Sequence, residues 1–333
     1  MKKIAVLGAG LTGASAAASL VRQGHQVTVF DKGRAAGGRM SSKRTEQGYL
    51  DMGAQYFTAR SDVFTQQVKQ WLEAGLVELW RCKTALLSDD EGVISLTASE
   101  DKQQRFIGIP SMQSPVSALL QGIPLLTSCR IHKLDYQQQC WTLYAEDGQH
   151  YAGFDAVLVT VPPVQAQQLM TQSGLANIFD SVTDLLEPCW AVAVQAQSIP
   201  YGDAIFCQHP QLRFISHQQH KTGRSSCYIL HFNAQFSALH LDEPAEFWFE
   251  RSSQILRQEL QVKGDIKTLV AHRWLYASQK DQMAPPGILA MPAQQLWAAG
   301  DWSYGGRVEN AYLAGLQLAQ AVHEYSDHTE AMR

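Results

Sequence analysis

The residues best suited to chemistry begin at Gly8. Gly8-Ala9-Gly10-Leu11-Thr12-Gly13 is a GxGxxG run between a short apolar stretch, Ile4–Leu7, and an alanine-rich one. Gly8 allows a tight turn, Gly10 lets backbone approach a pyrophosphate, and Gly13 lets the next helix pack against the strand. Free N–H groups at that helix start would face phosphates with the positive end of the helix dipole. Asp31 closes the following apolar stretch, where an acid can bind both hydroxyls of an adenosine ribose. Lys32 and Arg34 beside it could favour a 2′-phosphate, but the acid argues against one. They read as solvated loop charges or pyrophosphate partners.

That fingerprint does not separate NAD from FAD; three further segments do. Ala36-Gly37-Gly38-Arg39-Met40 sets a guanidinium after two glycines, able to clamp a pyrophosphate bidentately. Leu50-Asp51-Met52-Gly53-Ala54-Gln55-Tyr56-Phe57 joins a flexible glycine to an amide and aromatics, suited to edging a flat ring. Gly300-Asp301 precedes a helix expected from Val308. There Asp301 could hold a polyol while the helix start stabilises negative charge on a reduced flavin.

The elements needed to position these groups are legible too. Ile4–Leu7, a helix over 11–23 and Gln26–Phe30 make a βαβ unit. Ile131–Leu134 and Trp141–Ala145 read as a β-meander, and Ala156–Val161 as a buried strand ended by Pro162-Pro163. Trp190–Gln197, Ser226–Asn233 and Lys267–Tyr276 are strand candidates, Ala245–Leu260 a helix, Leu296–Ala299 a strand, and Val308–His323 a closing helix. The class is α/β, with a Rossmann-like dinucleotide-binding domain and an inserted β-sheet-plus-helix substrate domain. Residues 1–75, 111–172 and 291–333 are assigned to the first, and 76–110 and 173–290 to the second.

Composition bounds the rest. The chain has 333 residues, 45% apolar and 17% charged, with 27 Lys and Arg against 31 Asp and Glu. Its length suits about two domains, at roughly 100–200 residues each. A net charge of −4 gives no pull toward nucleic acid or anionic lipid. The six cysteines include no CxxC pair and read as reduced thiols of a cytoplasmic protein. Lys2-Lys3 and the apolar run after them mimic a signal peptide, but Gly8, Gly10 and Gly13 interrupt it. No membrane span, metal site or protein partner is expected; His209, His217 and His220 fit an exposed polar loop.

Taken together, GxGxxG, GGR(M), DxGAQYF and the GD…RVENA helix resemble flavoproteins of the glutathione-reductase-like, amine-oxidase-type fold. GGRMSSKR (Gly37–Arg44), LDMGAQYFTAR (Leu50–Arg60), HRWLYA (His272–Ala277) and AGDWSYGGRVENAYLAG (Ala299–Gly315) most resemble bacterial renalases, from end to end. The resemblance implies bound FAD and an oxidase that uses dioxygen, makes hydrogen peroxide and takes 1,2- and 1,6-dihydro isomers of NAD(P)H. It implies FAD contacts from Gly8, Gly10, Leu11, Thr12, Gly13, Asp31, Lys32, Arg39, Gln55, Tyr56, Ile131, Asp301 and Val308. Tyr56, Phe57, Thr58, Ala59 and Arg60 would begin the substrate wall. Amine-oxidase relatives can attach FAD through a cysteine before the last helix; 297–315 has none, so FAD is expected to be noncovalent.

Hydride loss from a dihydropyridine makes an aromatic pyridinium, so no general base is required and the flavin carries the chemistry. The candidates beside it are His272, Trp274 and Arg60. Strand alternation puts His272, Trp274 and Tyr276 on one face, as polar hook and aromatic wall or as core packing. Trp190 could face the flavin or pack in the core. Arg60 and Arg307 could anchor the substrate's phosphate or ribose, or serve as ion-pair partners. Two alternatives stand: a small FAD-dependent amine oxidase, and a flavin-binding redox module without turnover.

Overall fold

In a computed structural model, residues 1–331 other than 198, 200, 201, 281 and 282 are described. Strand Lys3–Leu7 is buried along residues 4–7 because helices and a second sheet cover both faces of its sheet. Such a strand needs apolar side chains in both directions, which explains its unbroken Ile-Ala-Val-Leu run. It pairs in parallel with Gln26–Phe30 on one side and Ala156–Val159 on the other. Leu125–Leu126 and Leu296–Ala298 extend the parallel sheet, and Leu289–Met291 closes one edge antiparallel. The βαβ unit and the last strand therefore lie within one six-stranded sheet.

Helix Leu11–Arg22 covers this sheet and packs along the C-terminal helix Val308–Ala331. Their approach is close: a methyl group at Gly315 would lie 1.9 Å from Ser15 Oγ. Ser15 Oγ also donates to the Tyr312 carbonyl at 2.9 Å. The opposite face carries the expected meander, Ile131–Gln137, Cys140–Ala145 and His150–Phe154, with Trp141 fully buried beneath it.

A seven-stranded sheet forms the other half. In spatial order it runs Lys267–Gln279, Leu186–Gln195, Tyr228–Phe232, Leu212–His217, Ala204–Gln208, Thr84–Asp90 and Val93–Ala98. Helix Ala245–Gln254 continues through a π-type turn, Ile255–Glu259, and covers one face. The other face looks toward the dinucleotide half, and Lys267–Gln279 lies at the sheet's edge.

Two helices depart from the sequence reading. Asp62–Glu73 is capped by Ser61 and buries Phe64, Val68 and Trp71. Pro162-Pro163 ends a strand as expected, but Pro163 also opens helix Pro163–Ser173, where its missing N–H costs no hydrogen bond. Among the described residues, no helix is long and apolar enough to cross a membrane.

Candidate functional site

A cavity of about 1600 Å³ runs from the GxGxxG turn to the inner face of the second sheet. At its base, the Gly8 N–H donates to the Phe30 carbonyl at 2.8 Å, which ties the turn to the next strand. Gly8 has φ +110°, and a methyl group on Gly13 would sit 1.9 Å from the Gly8 carbonyl oxygen. Gly10 differs: its missing methyl would meet nothing nearer than Gly38 Cα at 4.0 Å. The absent side chain there leaves backbone exposed to the cavity. Helix Leu11–Arg22 has neither a side-chain cap nor an acid in its first turn, so its leading N–H groups are available to an anion.

Asp31 is oriented by two backbone donors, Ala9 N–H to Oδ2 and Gly33 N–H to Oδ1, each at 2.6 Å. Beside it, burial and Arg130 lower the Lys32 pKa. The Gly37 N–H donates to the Ala9 carbonyl, locking the GGR turn onto the glycine turn. Arg39 reaches across to an ion pair with Asp301 and donates to the Ala277 carbonyl at 3.2 Å. Gly53 lets the next loop close on this turn, since a methyl group there would lie 2.1 Å from the Arg39 carbonyl oxygen.

The far wall is aromatic and polar. Tyr56, Phe206 and Phe214 line it, with the Arg105 guanidinium 5.1 Å from the Tyr56 ring and 5.3 Å from the Phe206 ring. His272 meets Trp274 edge-on, ring centroids 4.4 Å apart, and Trp274 Nε1 donates to the Met52 carbonyl at 2.9 Å. His231 Nε2 lies 3.1 Å from the same oxygen. A carbonyl only accepts, so Nε2 carries the proton. Burial lowers the His231 pKa to about 4, and burial together with Lys43 lowers that of His272. Neutral imidazoles therefore face a cavity rich in cations.

Gln55 is fixed from behind. Its Oε1 accepts from Gln218 Nε2 at 2.6 Å and Lys221 Nζ at 3.1 Å, while its Nε2 donates to the Asp51 and Gly53 carbonyls. Lys221 is buried 4.5 Å from the Trp80 ring, and burial lowers its pKa to about 7 against a smaller opposing pull from Asp51. Asp51 itself forms a fully buried ion pair with Arg224 at 2.9 Å.

Among the residues expected to contact a cofactor, Gly8, Gly10, Leu11, Thr12, Asp31, Lys32, Arg39, Gln55, Tyr56, Ile131, Asp301 and Val308 all line this cavity. Gly13 does not; it packs beneath the turn against Gly8. His272, Trp274 and Arg307 line the cavity. Phe57, Thr58, Ala59, Arg60 and Trp190 do not. Phe57 pairs with Phe106 through its backbone and sits among Phe64 and Trp71. Arg60 is exposed, its backbone N–H donating to Glu309. Trp190 stacks on Trp248 at 4.8 Å, on the face turned away. Period-two alternation does not reveal this, because residues 190–194 of its strand are buried on both faces. Arg273 pairs with Asp242 at 2.6 Å. His209 is a structural pair with Glu259 at 2.6 Å. Phe206, Phe214, Arg213 and His231 also line the cavity, although the sequence reading names none of them; Phe206, Phe214 and His231 come from three neighbouring strands and meet only through sheet register.

Residues 6–73 match the model of an NAD(P)-binding Rossmann-like domain. The N-terminal segment is thus a Rossmann-like dinucleotide-binding domain. The 4,4′-diapophytoene desaturases of Staphylococcus aureus strains Newman and N315 are each 51% identical over 51 residues. That segment is 15% of this chain and only 10% of each desaturase. A crystal structure from Exiguobacterium sp. 255-15, provisionally assigned as a protoporphyrinogen oxidase, superposes with a TM-score of 0.75. It covers 97% of this chain and 99% of its own at 12% identity, so the likeness is one of fold. The mixed α/β architecture of this chain is therefore similar to that of the Exiguobacterium protein along nearly its whole length.

Proposed function

We propose that this chain is a noncovalent FAD-dependent oxidoreductase, a renalase-like oxidase of 1,2- and 1,6-dihydro isomers of NAD(P)H. The observation that carries the substrate reading is the charge of the cavity. Among the described residues, nine Lys and Arg side chains line it against two carboxylates, Asp31 and Asp301, in a chain of net charge −4. Cationic walls favour a phosphorylated substrate and disfavour a protonated amine.

The size of the cavity supports the same reading. At about 1600 Å³ it exceeds the roughly 300–1,000 Å³ of an ordinary small-molecule pocket. It therefore has room for a dinucleotide and a second ligand. Gly10, the start of helix Leu11–Arg22, Asp31 and Arg39 fit a bound FAD, the first two by exposing backbone N–H groups, Asp31 as an acceptor for ribose hydroxyls and Arg39 as a cation. Held there, FAD would supply the hydride acceptor, with dioxygen and a proton as the route to hydrogen peroxide. The residues around it do the positioning. Tyr56, Phe214 and Trp274 offer flat faces for a planar ring, Arg213, Lys43 and Arg307 offer charge to phosphates, and the second sheet forms the wall that carries them. His231, bonded to the Met52 carbonyl, and His272, edge-on to Trp274, are both lowered in pKa and so are weak bases, in keeping with a reaction that needs no proton abstraction.

Oxygen-electrode measurements with the two isomers, and with small primary and secondary amines, test the assignment. Uptake with a dihydronicotinamide isomer and none with amines is expected; the reverse pattern would establish the amine-oxidase alternative.

A further inference from the structure

We infer that Asp203, His217 and His220 form a binding site for a divalent transition-metal ion, Zn²⁺ foremost, separate from the dinucleotide cavity. The three stand at one end of the Ala204–Gln208 and Leu212–His217 hairpin. The His217 N–H donates to the Asp203 carbonyl at 2.7 Å, which sets the two side by side. The chain then turns, with the Lys221 N–H donating to the Gln218 carbonyl at 3.0 Å, and brings His220 back to Asp203.

The distances point to a shared ion. Asp203 Oδ1 lies 3.8 Å from His217 Nδ1 and 3.7 Å from His220 Nε2, too long for hydrogen bonds. All three atoms lie within 4.8 Å of one another. Zinc bonds to imidazole nitrogen and carboxylate oxygen are about 2.0–2.2 Å, so ligands arranged tetrahedrally around one ion stand roughly 3.3–3.6 Å apart. Two of the spacings exceed that range slightly, and a small turn of the side chains, with His220 on an exposed turn, closes the set.

The surroundings hold the ligands as a metal site requires. Lys83 N–H donates to Asp203 Oδ2 at 2.8 Å and leaves Oδ1 for the ion. The His217 ring stacks on Tyr228 at 4.2 Å and 11°, which limits its rotation. The three ligands line a second cavity of about 920 Å³, which shares no lining residue with the first. Glu100 and Asp101 line it together with Arg81, Lys83 and Lys102, so its charge is mixed. An imidazole pair with one carboxylate suits Zn²⁺, Ni²⁺ or Cu²⁺ better than Mg²⁺ or Ca²⁺.

The test is titration of chelator-stripped, full-length protein with Zn²⁺ by calorimetry, repeated with Co²⁺ while following its visible absorption. One equivalent bound by the wild type is expected. His220→Ala, on an exposed side chain, should weaken binding at least about tenfold, as loss of even an outer-shell partner can. His217→Gln should do the same, and His150→Ala, on an exposed strand of the meander, should change nothing. Circular dichroism of each variant separates lost ligation from lost folding. A wild type that binds no Zn²⁺, or a folded His220→Ala that binds as the wild type does, would overturn the site.

Discussion

Arg39 and Asp301 are 262 residues apart in the chain and joined by an ion pair at the floor of the dinucleotide cavity. The same guanidinium donates to the Ala277 carbonyl of the edge strand, so one side chain links the GGR turn, the last turn of the first sheet and the second sheet. Each residue was expected to touch a cofactor separately. The structure makes them one unit, in which Asp301 aims the cation and Arg39 neutralises the acid.

Replacing Arg39 by Lys keeps the charge but loses the planar fork that reaches both partners. Charge-assisted hydrogen bonds contribute about 1.5–3 kcal/mol, so FAD affinity should fall roughly tenfold or more. Flavin fluorescence released on serial dilution measures this directly. Unchanged retention would mean that Arg39 holds the two sheets and not the cofactor.

The glycines of the turn should separate cofactor binding from folding. Gly13→Ala would place a methyl group 1.9 Å from a backbone oxygen and should cost several kcal/mol or abolish folding. Gly10→Ala meets nothing closer than 4.0 Å, so the variant should melt near the wild-type apoprotein yet purify with little flavin. Thermal melts and the flavin-to-protein absorbance ratio report the two effects.

Lys221 predicts a pH dependence of stability. Its pKa falls from an ordinary 10.5 to about 7 through burial. Between those values the unfolded chain keeps the proton and the folded chain releases it, so stability should rise with pH across that window. The full burial cost is present below about pH 7 and is relieved as the pH approaches that of the free side chain. Urea unfolding of wild type and Lys221→Met at several pH values checks the sign: the variant's curve should be flatter from about pH 7 to 10.

Charge on the far wall should govern the substrate and not the cofactor. Arg213, held by Ser278 at 2.9 Å, and Lys43, near enough to depress His272, sit away from the glycine turn. Arg213→Gln or Lys43→Gln should raise KM for a dihydronicotinamide dinucleotide several-fold with kcat little changed. Flavin content should match the wild type, and added salt should shrink the difference.

The sequence reveals most where the signal is local. The strand–turn–helix at residues 3–30 announces itself through spaced glycines beside an unbroken apolar run, and Gly300-Asp301 before Val308 does so at the other end. Helix Asp62–Glu73 carries a local signal as well: Ser61 caps it, and Phe64, Val68 and Trp71 recur at helical spacing. The far wall is different. Phe206, Phe214 and His231 come from three strands, and their convergence depends on sheet register that no local pattern records. Trp190 shows the same limit from the other side, since a strand buried on both faces does not say which face meets the ligand. The His217–His220 pair was visible as spacing, but Asp203, which completes the cluster, is brought to it only by the hairpin.

The most direct test of the account is anaerobic mixing of the purified holoprotein with 1,2- and 1,6-dihydro-NAD, following the flavin's visible absorbance. Rapid bleaching by at least one isomer, reversed by air with NAD⁺ and hydrogen peroxide formed, is the predicted result. Flavin that stays oxidised with both isomers would contradict the account.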